Sequence, residues 1–243
     1  MMPWIVPDWP APGGVRALST FRSGGASTAP YASLNLGGHM GDLAAAVAEN
    51  RRRLAAAAAL PAEPQWLTQV HGTTVSDLDA PAPLGPADAC FTRKLKRVCA
   101  ILTADCLPVL FAADSGDLVA AAHAGWRGLA GGVIAATVAA LPVGPSKLMA
   151  WLGPAIGPQH FEVGAEVREA LLNADPGAES AFLPNVRGRY MADLAALARR
   201  RLAAVGVTRV YGGDQCTFAD RDRYFSHRRD GVTGRQATLI WLE

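Results

Sequence analysis

Hydrophobic and polar positions fall into blocks along this chain, and the blocks change between strand-like and helix-like periods. Three apolar runs of six or seven residues, separated by short polar turns, occupy 98–104, 108–113 and 117–123. Their nearly continuous hydrophobicity is typical of strands that are covered on both faces. Other segments between polar turns predict further strands at 15–21, 66–70, 73–78, 147–153, 209–213 and 237–242.

Helical spacing of apolar residues predicts four helices among these strands. They span 43–60, 128–141, 164–174 and 193–206. Asp42 is placed to cap the first helix, and Pro61 and Pro142 end the first two. The segment 22–42, rich in Gly, Ser and Asn, predicts a long loop of the kind that often carries function.

The interleaving of strands and helices predicts an α/β fold. No repeat, low-complexity linker or shift of composition marks a boundary between domains. We therefore predict one domain over residues 1–243, built as a layered α/β sandwich with a mixed sheet. The length of 243 residues and the hydrophobic content of 50% are sufficient for a sizeable core.

Charge and cysteine content narrow the expected partners and compartment. The net charge of +2 gives no electrostatic reason to expect a nucleic-acid partner. The four cysteines form no CxxC motif and are expected to be reduced, as in the cytosol. The segment "MMPWIVPDWP" lacks the features of a signal peptide, and no apolar run reaches the ~18 residues of a membrane span. We expect a cytoplasmic protein, monomeric or homodimeric, with no membrane partner.

Three potential metal ligands lie at the edges of predicted strands, each followed within three residues by Gly or Pro. They are His71 in "LTQVHG", Cys106 in "TADCLP" and His123 in "AAHAGW". Imidazole and thiolate are preferred zinc ligands, and three protein ligands leave open the fourth position that marks a catalytic site. The separations of 35 and 17 residues match no compact zinc motif, so this prediction depends on residue type and on position at strand ends.

Two other interpretations of these residues remain open at this point. A cysteine after an apolar run is most often a small buried side chain, and a single histidine is most often a hydrogen-bonded polar residue. Cys106 could instead be a nucleophile with a histidine as its base, because a nucleophilic pair needs the same residue types at bonding distance. Periodicity does not separate a ligand from a nucleophile.

Several arginines indicate an anionic ligand. In "HAGWRG", Arg127 lies at the predicted start of a helix, where backbone N–H groups attract phosphate or carboxylate. Arg22 opens the glycine-rich loop and is able to reach the same pocket, and one of the adjacent pair Arg228 and Arg229 is expected to point inward. The alternative for Arg127 is a surface position with Trp126 as a packing anchor. No dinucleotide-binding or P-loop fingerprint occurs.

The segments "TQVHG", "TADCLPVLF", "AAHAGWRG", "WLGPAIGP" and "YFSHRRDGVTGR" together resemble the YfiH family, and the similarity covers nearly the whole chain. The resemblance implies a single α/β domain with a zinc site. The histidine of "QVHG", the cysteine of "ADC" and the histidine of "HAGWRG" supply the ligands in that family. Those positions are His71, Cys106 and His123 in this sequence.

The resemblance also implies an activity. The family is associated with phosphate-dependent cleavage of purine nucleosides, including adenosine, inosine, guanosine and methylthioadenosine, and with deamination of adenosine at the same site. Deamination fits such a metal, since zinc-activated water attacks the base in other zinc deaminases. A member of the family is linked to the editing of cell-wall precursors. The expected partners are therefore small purine nucleosides and inorganic phosphate as co-substrate.

The family also carries a laccase label, which the histidine count restricts. A four-copper oxidase binds one copper through two histidines and a cysteine, and needs about eight further histidines for a three-copper cluster. The chain has five histidines in all, so four-copper chemistry within one chain is excluded. A single copper at the three proposed zinc ligands remains possible, because copper binds such donors more tightly than zinc does.

For the phosphorylase we predict roles for six further side chains. Arg22 and Arg127 steady the phosphate, Arg228 is a further substrate contact, and Asn35 and Gln69 make polar contacts to the nucleoside. Asp105, beside Cys106, moves protons or orients a histidine ligand. Three competing functions remain: a metal-free cysteine amidase acting on cell-wall peptide precursors, a polyphenol oxidase with a single copper, and a binding module without catalytic activity.

Overall fold

The strands of this protein form three sheets, where the sequence predicts one mixed sheet. The computed structural model describes residues 4–81 and 85–243. Its sheets have six, five and three strands, with helices packed outside them. The predicted layered α/β class is therefore confirmed, with the difference that two mixed sheets face each other in the middle.

The six-stranded sheet contains the apolar runs that the sequence marks as doubly covered strands. Its order is β13-β9-β7-β8-β5-β4, and the pairs β13–β9 and β4–β5 are parallel while the other three pairs are antiparallel. Every residue of β7, β8 and β9 is buried, as a strand covered on both faces requires. The bounds are β4 Val75–Asp77, β5 Ala89–Thr92, β7 Leu107–Ala113, β8 Val119–Ala124, β9 Leu148–Leu152 and β13 Arg209–Gly212.

The five-stranded sheet has the order β1-β2-β14-β6-β3, with β14 between β2 and β6 and antiparallel to both. A small antiparallel sheet has the order β10-β12-β11. The bounds are β1 Trp4–Ile5, β2 Val15–Thr20, β3 Gln65–Trp66, β6 Val98–Thr103, β14 Gln236–Leu242, β10 Glu162–Val163, β11 Phe182–Pro184 and β12 Tyr190–Ala192.

Six α-helices complete the described part of the chain, together with 3₁₀ turns at Pro145–Lys147 and Pro176–Ala181. The bounds are α1 Ala44–Ala57, α2 Trp126–Gly131, α3 Val133–Ala140, α4 Ala165–Ala174, α5 Leu194–Ala204 and α6 His227–Asp230. Helices α2 to α5 cover one face of the six-stranded sheet, and α1 covers the outer face of the five-stranded sheet.

The fold has four layers: helices α2 to α5, the six-stranded sheet, the five-stranded sheet and helix α1. The alternation of side chains along β7 explains how the inner layers pack. Val109 and Phe111 point towards helices α2 to α5, whereas Leu110 and Ala112 point towards the five-stranded sheet. All four side chains are fully buried. Burying a large apolar side chain of this kind contributes about 1.5–3 kcal/mol to folding. The two sheets therefore share one apolar interior, and their strand ends meet at its edge.

Three local predictions are wrong for identifiable reasons. The helix predicted over 128–141 is two helices, because Gly132 adopts a left-handed conformation (φ +93°) between α2 and α3. Asp42 does not cap α1; its carboxylate accepts hydrogen bonds from Ser27 Oγ (2.6 Å) and Asn35 Nδ2 (2.9 Å) within the preceding loop. The predicted strands 66–70 and 73–78 shorten to β3 and β4, which lie in different sheets and leave a loop around His71 between them.

Among the described residues, no helix combines the length and apolar character needed to cross a lipid bilayer.

Candidate metal centre

The three potential ligands come from strand ends that the sheet register brings together. Cys106 directly precedes β7, and His123 is the penultimate residue of β8. The antiparallel register pairs Pro108 with His123, so the start of β7 lies beside the end of β8. His71 reaches the same place from the loop between β3 and β4, where it adopts the left-handed φ of +61°.

The geometry of this cluster suits a tetrahedral zinc ion. The Sγ atom of Cys106 lies 3.9 Å from Nε2 of His71, and the rings of His71 and His123 are 4.8 Å apart. One ligand atom from each residue lies within 4.8 Å of the others. A tetrahedral site with Zn–S and Zn–N bonds of ordinary length separates nitrogen and sulfur ligands by about 3.6 Å. Within residues 4–81 and 85–243 this is the one cluster of three or more potential ligands, and their role as ligands stays a prediction.

A buried carboxylate that the sequence analysis missed, Asp88, positions two of the three side chains. Its Oδ1 accepts hydrogen bonds from Nδ1 of His123 (2.8 Å) and from the backbone N–H of His71 (2.9 Å). Its Oδ2 accepts the N–H groups of Val70 (3.1 Å) and Gly72 (2.7 Å). Because a carboxylate only accepts, Nδ1 of His123 carries the proton and Nε2 is left for a metal.

Asp88 lies before β5, a strand that the sequence analysis did not predict. Its segment "ADACF" is short, and a single acidic residue beside four apolar ones gives little periodic signal. Burial raises the pKa of the Asp88 carboxyl, but the hydrogen bonds from His123, Gly72 and Val70 outweigh burial and lower it. The fold therefore stabilises the ionised carboxylate of Asp88.

The two histidines of the cluster favour a thiolate at Cys106 when no metal is present. Burial raises the pKa of the Cys106 thiol, but hydrogen bonds and positive charge from His123 and His71 bring it down to about 6. Burial lowers the pKa of His123, and Asp88 and Cys106 raise it to about 9. A thiolate is the form that binds metal ions and the form that attacks electrophiles. The cluster is thus suited electrostatically to either chemistry.

Asp105 holds two distant loops against this strand end, and its carboxylate contacts no imidazole in the described residues. It accepts hydrogen bonds from Thr217 Oγ1 (2.6 Å), Ser226 Oγ (3.0 Å) and the backbone N–H of Arg228 (2.7 Å). The predicted task of orienting a histidine therefore belongs to Asp88. Asp105 lines the cavity beside the cluster, and its role in proton transfer stays a prediction.

We expect the Asp105→Asn variant to be less stable than the wild type. An amide NH₂ would face one of the three donors that the carboxylate accepts, which leaves a buried group unpaired and costs about 1–3 kcal/mol. Urea denaturation measures the free energy of unfolding. The matched change Asp222→Asn, at an exposed position, should alter it by less than ~0.5 kcal/mol. Equal midpoints for Asp105→Asn and wild type would contradict this role.

A cavity of ≈ 390 Å³ opens beside the cluster, and three of the predicted substrate contacts line it: Gln69, Arg127 and Arg228. The amide of Gln69 is engaged with the main chain of β6. Its Nε2 donates to the carbonyl of Leu102 (2.9 Å) and its Oε1 accepts the Leu102 N–H (2.8 Å). Gln69 therefore joins the loop of His71 to the five-stranded sheet.

The two predicted arginines of the cavity wall are exposed and rest on aromatic rings. The guanidinium of Arg127 lies 4.4 Å from the ring centre of Trp126. That of Arg228 lies 5.3 Å from the ring centre of Phe161, and its Nη1 donates to the carbonyl of Glu162 (2.7 Å). The aromatic rings of Trp126 and Phe161 line the cavity as well.

Arg22 and Asn35 lie outside the wall of this cavity, so the structure corrects their predicted contacts with substrate. Nε and Nη2 of Arg22 donate to the carbonyl of Ala32 (3.1 and 2.9 Å), and its guanidinium lies 4.7 Å from the ring centre of Phe225. Asn35 is fully buried and donates to Asp42 Oδ2 (2.9 Å). Both side chains therefore form hydrogen bonds with groups of the long loop 22–42.

Three cationic or titratable side chains of the cavity wall were not predicted: His39, His227 and Arg235. Burial is the main cause that lowers the pKa of His39, and the nearby charges of Arg235 and Arg51 act in the same direction. His39 and Arg235 lie in the segments "LGGHMGD" and "VTGRQ", and no local pattern of residues assigned either side chain to a ligand.

Known proteins match this chain over its length. A family described as multi-copper polyphenol oxidoreductase laccase matches residues 16–243. A Pseudomonas aeruginosa protein named purine nucleoside phosphorylase is 55% identical over 100% of both chains. The Escherichia coli purine nucleoside phosphorylase YfiH is 53% identical over 98% of each chain.

Solved structures agree with these sequence matches. A Neisseria meningitidis protein of the DUF152 family superposes with a TM-score of 0.94 at 49% identity, covering 99% of each chain. YlmD from Geobacillus stearothermophilus superposes with a TM-score of 0.91 at 34% identity, covering 99% of this chain and 96% of that one. The chain therefore belongs to the multi-copper polyphenol oxidoreductase laccase family, and within it to the YfiH-like proteins that its motifs resemble.

Proposed function

We propose that this protein is a zinc-dependent purine nucleoside phosphorylase, working as one catalytic domain over residues 1–243. Its substrates are adenosine, inosine, guanosine and methylthioadenosine, with inorganic phosphate as co-substrate, and it also deaminates adenosine. One observation carries the proposal. A His-Cys-His cluster lies on the wall of a cavity in a chain that is 53–55% identical to two proteins named purine nucleoside phosphorylase.

The size and lining of the cavity support a nucleoside ligand. Its volume of ≈ 390 Å³ lies within the range of about 300–1,000 Å³ that is usual for small-molecule sites. The rings of Trp126 and Phe161 offer flat apolar faces on which a purine can stack. The arginines of the wall offer positive charge to a phosphate.

His71, Cys106 and His123 would hold the zinc ion through two imidazoles and one thiolate. The ion would supply Lewis acidity, which polarises an oxygen atom of a ligand and lowers the barrier to charge development there. Asp88 keeps the ring of His123 in the required tautomer and fixes the loop of His71. The protein thus presents a preorganised site to the substrate.

Phosphorolysis in this cavity exchanges one bond at the anomeric carbon for another. A phosphate oxygen forms a bond to that carbon, the bond to the purine nitrogen breaks, and the purine leaves with the bonding electrons and takes up a proton. By analogy with glycoside cleavage, positive charge develops on the sugar ring. The wall arginines bind and orient the phosphate, and the aromatic rings orient the base. Deamination replaces the C6 amino group by the oxygen of water and releases ammonia.

Product analysis with controlled metal content tests the proposal. The purified protein is incubated with each nucleoside, with and without phosphate, and the products are separated by chromatography. We expect free purine base and the corresponding sugar 1-phosphate only when phosphate is present, and inosine from adenosine without phosphate. Removal of the metal by a chelator should abolish both reactions, and zinc should restore them. Zinc-loaded protein that forms no phosphate-dependent product would contradict the proposal.

A second function, a cysteine amidase acting on cell-wall peptide precursors, is favoured by one specific arrangement. Cys106, His123 and Asp88 form a series of thiol, imidazole and carboxylate, as in cysteine hydrolases. In that function the sulfur of Cys106 forms a thioester with the acyl group, the amine leaves with a proton, and water hydrolyses the thioester. Cleavage of such a peptide by chelator-treated protein, with alkylation of Cys106 abolishing it, would support the amidase over the phosphorylase.

A further inference from the structure

The guanidinium of Arg235 is anchored on one side only. Arg235 directly precedes β14 and lines the cavity. Its Nη1 donates to the carbonyls of Thr233 (3.2 Å) and Gly234 (2.9 Å). Its Nε–H and Nη2 have no hydrogen-bond acceptor, and no carboxylate forms an ion pair with it, within the part of the chain that the structure describes. These two donors form the parallel fork that binds phosphate in a bidentate manner.

The long loop 22–42 fixes the position of this side chain. The backbone N–H of Arg235 donates to Asn35 Oδ1 (2.9 Å), and its carbonyl accepts the N–H of Leu36 (3.0 Å). Gly37 lies against the stem of Arg235, because a Cβ atom at position 37 would come within 2.9 Å of its Cγ. The guanidinium is therefore held in place before any ligand arrives, which reduces the entropy lost on binding.

No carboxylate of the described residues forms an ion pair with Arg235. Burial lowers the pKa of its guanidinium because the cation has lost part of its hydration, and the nearby charges of Cys106 and Asp105 offset this only in part. A partly buried cation without a carboxylate partner is costly, and a bound anion removes that cost. Arg127 and Arg228 differ from it because both are exposed and lie over aromatic rings.

A second unpaired polar group lies in the same wall. Thr103, the last residue of β6, is buried, lines the cavity, and has an Oγ1 without a hydrogen-bond partner in residues 4–81 and 85–243. The register places Thr103 opposite Gln236, the neighbour of Arg235. Thr103 and Arg235 thus both line the cavity in the region where β6 ends and β14 begins. A buried hydroxyl without a partner costs stability, so a ligand oxygen is the partner that the cavity offers it.

We infer that Arg235 and Thr103 form the binding site for the inorganic phosphate co-substrate beside the His-Cys-His cluster. The inference depends on the proposed phosphorylase for the identity of the anion. The fork takes two phosphate oxygens, the hydroxyl takes a third contact, and the phosphate is held on the side of the cavity next to Cys106. Asn35 and Gly37 act on phosphate indirectly, by positioning Arg235.

Kinetics and direct binding of phosphate test this site in the zinc-loaded full chain. For Arg235→Gln, loss of a charged bidentate contact should raise the KM for phosphate about 10- to 100-fold, while the KM for inosine changes less than about 2-fold. Calorimetric titration with phosphate alone should show a similar loss of affinity. Arg235→Lys keeps the charge and loses the fork, so its KM for phosphate should lie between the values for the wild type and for Arg235→Gln. Arg52→Gln, on the exposed face of α1, is the matched control and should behave as wild type.

Two further variants separate binding from damage to the fold. Thr103→Val removes the unpaired hydroxyl at nearly constant volume, so it should weaken phosphate binding up to about 10-fold while the midpoint of thermal unfolding stays the same or rises. Gly37→Ala keeps every charge but displaces the stem of Arg235, so it should raise the KM for phosphate. A merely structural role of Thr103 would lower stability and leave phosphate affinity unchanged.

The outcomes distinguish this site from the proposed function. Unchanged phosphate KM and affinity in Arg235→Gln would overturn the site, as would a larger loss in Arg127→Gln than in Arg235→Gln. If the wild type binds phosphate, Arg235→Gln weakens that binding, and no nucleoside is cleaved, the anion site stands and the phosphorylase proposal fails. If phosphorolysis occurs with phosphate kinetics insensitive to Arg235, the phosphorylase stands and the site fails.

Discussion

Replacement of Cys106 by alanine should abolish phosphorolysis and deamination in the proposed enzyme. The change removes the thiolate, the only anionic donor of the cluster, and leaves two imidazoles 4.8 Å apart. We expect loss of stoichiometric zinc and a fall in activity of more than about 100-fold, since even partners outside the ligand shell contribute about 10- to 100-fold. Elemental analysis and the nucleoside assay measure the two effects.

The matched control for this variant is Cys216→Ala. Cys216 lies outside the cluster, and its sulfur accepts the N–H of Gly157 (3.2 Å). The Cys216→Ala protein should retain zinc and phosphorolysis. A Cys106→Ala protein that keeps near-normal phosphorolysis would show that the proposed mechanism is wrong, whatever its metal content.

Replacement of Asp88 by asparagine should weaken zinc binding about 10- to 100-fold, as loss of an outer partner does in other zinc sites. The amide would present donors to N–H groups that now meet a carboxylate oxygen, so the loop of His71 and the ring of His123 lose their common anchor. We also expect the free energy of unfolding to fall by about 1–3 kcal/mol. Competition with a chromophoric chelator measures the zinc affinity, and excess zinc should restore activity in part.

Asp79→Asn is a control of the same chemistry away from the cluster. The carboxylate of Asp79 accepts hydrogen bonds from Thr92 Oγ1 (2.6 Å) and the N–H of Arg93 (2.8 Å). Its loss should lower stability and leave zinc affinity unchanged. If Asp88→Asn and Asp79→Asn bind zinc equally well, Asp88 is a structural carboxylate and does not position the ligands.

The elements that the sequence predicted best are those for which burial alone decides the pattern. The apolar runs that became β6, β7 and β8 are recognisable because both faces of each strand are covered. His71, Cys106 and His123 could be singled out because their residue types suit a metal and each interrupts or follows such a run. The distance between them could not be predicted, since it depends on the register of β7 against β8 and on the loop of His71.

Asn35 illustrates a structural role that the sequence pattern could not predict. A polar residue in a glycine-rich loop has the same local signature whether it contacts a ligand or satisfies the backbone. Here its Oδ1 accepts the N–H of Arg235, 200 residues later in the chain. The sequence order gives no sign of that pairing, so Asn35 was predicted to contact the nucleoside and Arg235 was given no role. Asp88 was missed for a similar reason, because its four partners belong to two other segments.

The placement of β14 has a consequence for how this chain is made. During synthesis β2 and β6 leave the ribosome long before the strand that separates them, and the hydroxyl of Ser19 meets that of Thr238 across 219 residues. Until then both strands expose unpaired edges, which are sites for wrong pairing and aggregation. Contacts of such sequence separation also form slowly. Nascent chains of this protein should therefore depend on holding chaperones until β14 emerges.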